Sequence, residues 1–193
     1  MFKIDKRIIN ILKGGGVGVL PTDTLYGLVG SALNKETVER IYEIKKREKE
    51  KKMIILISKR KDLDLFGIEF SDKVKKFLKK VWPKPVSVVL PLSYTNNLYN
   101  SINYLHRGSD TLAFRVPKLR WLRKLLKETG PLVAPSANPE SLPPAQSIEE
   151  AKGYFGDKVD FYVDGGQLSG EPSTIVRPDE RGFEIRRQGA VKI

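Results

Sequence analysis

Apolar positions recur along the chain with two periods, and the alternation between them outlines the fold. Ile8, Ile9 and Leu12 share one face of a short helix that Asp5 is placed to cap and that Gly14, Gly15 and Gly16 end. Residues 17–20 form an unbroken apolar run, as a strand buried on both faces does, and lead into a Pro-Thr-Asp-Thr loop at 21–24. Asn34 precedes a second helix with Val38, Ile41, Tyr42 and Lys45 at helical spacing, and residues 53–57 are a short apolar strand. Ser71 opens a helix carrying Val74, Phe77, Leu78 and Val81 along one side, which Pro83 and Pro85 break. Strands are expected at 86–92 and 111–116, then a helix lined by Leu119, Leu122 and Leu126, then a strand at 132–134. Ser147 and Glu150 have the spacing of a capping box ahead of Tyr154 and Phe155. Strand patterns at 159–163, 173–176 and 183–187 complete the chain. Strands both alternate with helices and cluster late, which predicts an α/β (α+β) protein: a mixed sheet with helices packed on it, not a purely parallel doubly wound one.

At 193 residues, with no repeat, low-complexity block or linker-like shift in composition, the chain is expected to form a single domain over 1–193. No apolar run approaches the roughly 18–20 residues of a bilayer span. The first ten residues mix charge into a helical pattern unlike a signal peptide, so no membrane and a cytoplasmic location are expected. The lack of cysteine removes disulfides, thiolate catalysis and the common zinc-finger sites. With 35 basic against 23 acidic side chains, the formal charge is +12. That charge either attracts polyanions such as nucleotides, RNA or acidic proteins, or is the lysine-rich surface common in heat-loving organisms.

Familiar catalytic sets are missing. A serine–histidine triad would have to use the one histidine, His106, where no G-x-S-x-G elbow occurs. Neither G-x-x-x-x-G-K-[ST] nor G-x-G-x-x-G is found. What remains is a series of small polar residues and cations near the ends of expected strands, where open α/β sheets place their ligands. Thr22, Asp23 and Thr24 suit either an ordinary turn or a small polar substrate. The run from Lys45 to Lys52 holds six cations and two carboxylates; it is either a solvated face or, if helical, brings Arg47 and Lys51 together at i,i+4 as a phosphate clamp. Arg115 interrupts an apolar strand and needs a partner, either a structural carboxylate or that of a substrate. The segments Ser136-Ala137-Asn138, Asp164-Gly165-Gly166, Ser173-Thr174-Ile175-Val176 and Arg187-Gln188-Gly189-Ala190 complete the series.

In this order and spacing the segments resemble the YrdC/YciO family, specifically its L-threonylcarbamoyladenylate synthases of the single-domain YrdC-like branch. Pro21 to Leu28 matches PT-[DE]-T-x-YGL; Lys45, Arg47 and Lys51 match K-x-R with a nearby Lys or Asn; Trp82 to Ser87 matches W-P-G-P-x-T. Thr111 to Pro117 matches T-x-A-x-R-x-P, followed by the S-A-N, D-G-G, S-T-[IV]-V and R-x-G-A segments. The resemblance implies a YrdC-like twisted mixed sheet with flanking helices and a basic concave face. It places Thr24, Arg115 and Ser173 where relatives hold L-threonine, and Arg47, Lys51, Thr111, Ser136 and Arg187 where they hold ATP. Lys45 and Asn138 match motif positions beside the nucleotide, and Lys45, Arg47 and Lys51 are the expected catalytic cations. No protein side chain is assigned to a metal, although Mg2+ is expected with ATP.

Four positions depart from the pattern: Lys84 stands for the usual Gly, Lys52 for Pro, Leu56 for a histidine of some relatives, and Glu140-Ser141 for Ser-Gly. The match is to the shorter branch, so the extra C-terminal domain of the longer branch is not expected. The implied reaction is threonylcarbamoyl-AMP and pyrophosphate from ATP, L-threonine and bicarbonate, for N6-threonylcarbamoyladenosine (t6A) in tRNA. The expected partners are tRNA or double-stranded RNA and the t6A transferase proteins. The rival reading is a double-stranded RNA-binding module of the same fold that makes no adenylate.

Overall fold

The computed structural model describes residues 5–93, 98–179 and 182–193. Residues 1–4, the start of the charged N-terminal stretch, lie outside them. The helices begin where the sequence supplies caps. The Asp5 carboxylate accepts from Arg7 N at 2.8 Å to start α1 (Lys6–Lys13), and Asn34 Oδ1 accepts from Thr37 N at 2.8 Å to start α2 (Lys35–Lys45). Ser71 caps α3 (Asp72–Val81); α4 (Asn103–His106) is a single turn; α5 (Arg120–Thr129) follows. At α6 (Ile148–Phe155), Ser147 accepts from Glu150 N at 3.2 Å, but the Glu150 carboxylate reaches back to Gln146 N at 2.9 Å, so the expected box closes one residue early.

The strands are β1 (Gly18–Pro21), β2 (Tyr26–Ser31), β3 (Ile54–Leu56), β4 (Val86–Pro91), β5 (Thr111–Arg115), β6 (Leu132–Val133), β7 (Phe161–Tyr162), β8 (Thr174–Pro178) and β9 (Phe183–Arg187). They form one mixed sheet in the order β7-β1-β2-β6-β3-β5-β4-β8-β9, with β1/β7, β3/β5 and β4/β8 parallel and the other neighbours antiparallel. A mixed sheet with flanking helices was expected, and it is what forms.

Both faces of the sheet are covered, as alternation along single strands shows. Val17 and Val19 join a large core with Ile41 and Tyr42 of α2 and Leu78 of α3, while Leu20 points the other way, into a second core with Leu12 of α1 and Leu122, Leu125 and Leu126 of α5. In β3, Ile55 belongs to the first core and Leu56 to the second. Leu56, one of the departures, is fully buried beneath α5.

One strand was not foreseen. β2 runs through Tyr26-Gly27-Leu28-Val29-Gly30-Ser31, where two glycines and a serine break the apolar run. The glycines serve packing. A Cβ on Gly30 would overlap the Thr37 methyl of α2 and sit 3.1 Å from Ile41 Cδ1. β1 and β2 make a hairpin in which Pro21 pairs with Tyr26, so residues 22–25 form its tip. Gly27 in turn bridges Ser136, with Leu28 N donating to Pro135 O and Ala137 N to Tyr26 O, which lays the Ser-Ala-Asn segment beside that tip.

Candidate active site

Thr24, Arg47, Arg115, Ser136, Ser173 and Arg187 line one cavity of about 480 Å³. This is within the usual size range of small-molecule sites. Lys45, Lys51, Thr111 and Asn138 are not on its wall. Thr22, read from sequence as either a turn residue or a substrate-binding hydroxyl, is on it, as are Leu25, Lys52, Ile54 and Ile175, which sequence reading gave no ligand-binding role.

Arg115 ends β5 with only 4% of its surface exposed. Nη1 donates to Thr24 Oγ1 at 3.2 Å, Nη2 donates to Thr22 Oγ1 at 3.4 Å, and Nη2 lies 3.4 Å from the Asp23 carboxylate. Nε has no partner. Of the two readings left open for this arginine, the structural one is met by Asp23 alone and at long range. Burial lowers the guanidinium's pKa, Arg187 nearby lowers it further, and Asp23 offsets part of this. Two guanidinium groups repelling each other across a cavity make a receptor for an anion. Arg187 is anchored through Nη2 to Ser173 O at 2.8 Å, and the Ser173 hydroxyl shares a hydrogen bond with that of Ser87 at 2.9 Å. The close fit is glycine-dependent: a Cβ on Gly189 would overlap the Pro172 carbonyl, and one on Gly170 would come within 2.7 Å of Thr24 O.

Of the two readings of the cation run, the one that needed Arg47 and Lys51 on a helix as a clamp is not met. α2 ends at Lys45, and Lys46 adopts a left-handed conformation (φ 51°), so the chain turns out of the helix before Arg47. Arg47 instead closes a turn, with Nε donating to Lys51 O at 2.8 Å and Nη2 to Lys52 O at 3.1 Å. It still reaches the cavity wall. Lys51 Nζ sits 3.0 Å from Glu48 and 2.9 Å from Glu140, and the hydrogen bond to Glu140 holds its pKa up.

Lys45 is buried, with only 2% of its surface exposed, and its ammonium donates to Ser136 O, Asn138 O and Asn138 Oδ1 at 2.7–2.9 Å. Burial brings its pKa down to about 8. It fastens the 136–138 loop to α2 and so positions Ser136, whose hydroxyl donates to Asn138 Oδ1 at 2.7 Å. Thr111 lies at the far end of β5 and accepts from Lys52 Nζ at 3.0 Å. His106 is not on the cavity wall and is stacked on Tyr99 with ring centroids 4.2 Å apart.

A mixed sheet whose loops gather three arginines, a lysine and several hydroxyls around one cavity has the layout of a small-anion site. The chain belongs to the Sua5/YciO/YrdC family, whose model, described as telomere recombination, matches residues 10–189. It is 34% identical over 166 residues to the threonylcarbamoyl-AMP synthase of Marinobacter nauticus, covering 84% of each chain. It is 31% identical over 184 residues to that of Pyrococcus abyssi, covering 94% of this chain but 53% of the other, so it spans about half of that relative. Among solved structures, P. abyssi Sua5 complexed with L-threonine superposes with a TM-score of 0.86 at 29% identity, over 97% of this chain and 56% of that one. E. coli YciO, at 23% identity and a TM-score of 0.82 over 98% and 93% of the two chains, shares the fold.

Proposed function

We propose that this protein is an enzyme that forms L-threonylcarbamoyl-AMP and pyrophosphate from ATP, L-threonine and bicarbonate, supplying the threonylcarbamoyl group for t6A in tRNA. The observation that carries the reading is the charge layout of the cavity. Arg115, with its idle Nε and the hydroxyls of Thr22, Thr24 and Ser173 around it, suits the carboxylate and polar groups of a small amino acid. Arg47, Lys52, Ser136 and Arg187 extend along the same wall as partners for phosphate oxygens. Thr111, which holds Lys52, and Arg115 are four residues apart on β5, about 13 Å along a strand. That separation leaves room for an amino acid and a nucleotide in line.

In this reading the threonine amine forms an N–C bond to the carbon supplied by bicarbonate, giving a carbamate, while one amine proton and the bicarbonate hydroxide leave as water. A carbamate oxygen then bonds to the α-phosphorus as the bond to pyrophosphate breaks. The protein contributes no nucleophile; it aligns two anions and offsets their repulsion. The residues lining the cavity include no carboxylate, so they do not fit a protein-held Mg2+, and no step here depends on one.

The test is incubation with ATP, threonine and 13C-bicarbonate, followed by mass spectrometry. A labelled threonylcarbamoyl-AMP formed with equimolar pyrophosphate supports the proposal. ATP turnover to AMP or ADP without the labelled anhydride refutes it.

A further inference from the structure

The folding of residues 46–52, not the cation run as a whole, decides which ammonium serves the cavity. Lys51 is committed elsewhere. Its Nζ bridges Glu48 and Glu140, and Glu140 is locked in place by accepting from Glu48 N at 2.7 Å. Lys52 is in the opposite condition. Together with Met53 and Ile54 it lines the cavity. Its Nζ donates to Ser109 Oγ at 2.8 Å and to Thr111 Oγ1 at 3.0 Å, and among the described residues it has no carboxylate within ion-pair distance. An ammonium has three N–H donors. Two are used by neutral hydroxyls, which orient the group without cancelling its charge, and the third is open.

We infer that Lys52 is the lysine that binds phosphate oxygens of the nucleotide, with Thr111 and Ser109 positioning its ammonium and Glu140 keeping Lys51 turned away. Burial lowers the Lys52 pKa, and a phosphate alongside would compensate the cost of that buried charge. The inference rests on the ATP-site reading above and refines it: the cation assigned from sequence to position 51 acts from position 52. Thr111 then contributes to nucleotide binding through Lys52 and is a positioning residue.

Titration calorimetry with ATP, inorganic pyrophosphate and threonine on wild type, Lys52→Ala, Lys52→Arg and Lys51→Ala tests this. Lys52→Ala is expected to weaken ATP and pyrophosphate at least tenfold while threonine stays within threefold. Lys52→Arg should recover most of the loss, and Lys51→Ala should shift ATP by less than threefold. Unchanged ATP affinity in Lys52→Ala, or a larger loss in Lys51→Ala, overturns the inference alone. A parallel loss of threonine in Lys52→Ala also overturns it, because it marks a structural prop. Wild-type protein that binds threonine but no ATP overturns the site reading itself, and the assignment of Lys52 with it.

Discussion

Arg115 shows how much a single buried charge can reveal. A guanidinium inside an apolar strand is legible from sequence because leaving it unpaired costs several kcal/mol in principle, so a partner has to exist. The structure narrows the partner further. Asp23 and two threonine hydroxyls sit at 3.2–3.4 Å, which leaves the planar fork incompletely used. Arg115→Lys keeps the charge and loses the fork; threonine affinity is expected to fall about thirtyfold, or ~2 kcal/mol, with ATP within threefold. Calorimetry reads both, and equal losses for the two ligands would contradict the assignment. Lys45 makes a different prediction. Its pKa is about 8 in the folded chain against 10.5 when exposed, so between those values the unfolded chain binds more protons and stability rises with pH. The melting temperature of wild type should therefore rise relative to that of Lys45→Met from pH 8 to 10.5. A difference independent of pH would show that the lysine is not depressed. Between Lys51 and Lys52, by contrast, the resemblance chose Lys51, whereas Lys52 is the one on the cavity wall. Which one faces the cavity depends on the left-handed turn at Lys46 and on Glu140, a contact across 92 positions that no local pattern encodes.

Among the elements, those with a cap and a clear period were readable, and the exception has a physical cause. β2 was hidden because Gly27, Gly30 and Ser31 interrupt its apolar pattern, yet the strand exists because α2 lies against it closely enough to exclude a side chain at Gly30. Gly30→Ala must push α2 outward, since the new methyl would collide with Thr37. A loss of about 1–3 kcal/mol is expected from such overpacking, seen as a lower urea midpoint. Because α2 ends in Lys45, which holds Ser136, the same substitution should also weaken ATP binding; stability lost with ATP affinity intact would uncouple the helix from the site. The sheet pairing that brings Ser136 beside the hairpin tip was equally out of reach of sequence patterns, since it joins residues more than a hundred positions apart.

For the molecule as a whole, the cavity draws its wall from residues spread between Thr22 and Arg187, so a ligand that binds there stabilises nearly the entire fold. Threonine at a hundredfold excess over its Kd should add about 2.7 kcal/mol to the folded state, visible as a rise in melting temperature that Arg115→Ala abolishes. No helix among the described residues is long and apolar enough to cross a membrane. The most distinctive global feature is where the last wall residue comes from. Arg187 belongs to β9, one of the two edge strands, which among the described residues pairs only with β8. Such a margin can peel away while its neighbours stay paired. Mounting Arg187 on that rim predicts that its loosening would withdraw one cation from the cavity and weaken the hold on a bound anion. Amide exchange across residues 183–187 should accordingly outpace that of β5 and slow when nucleotide is bound.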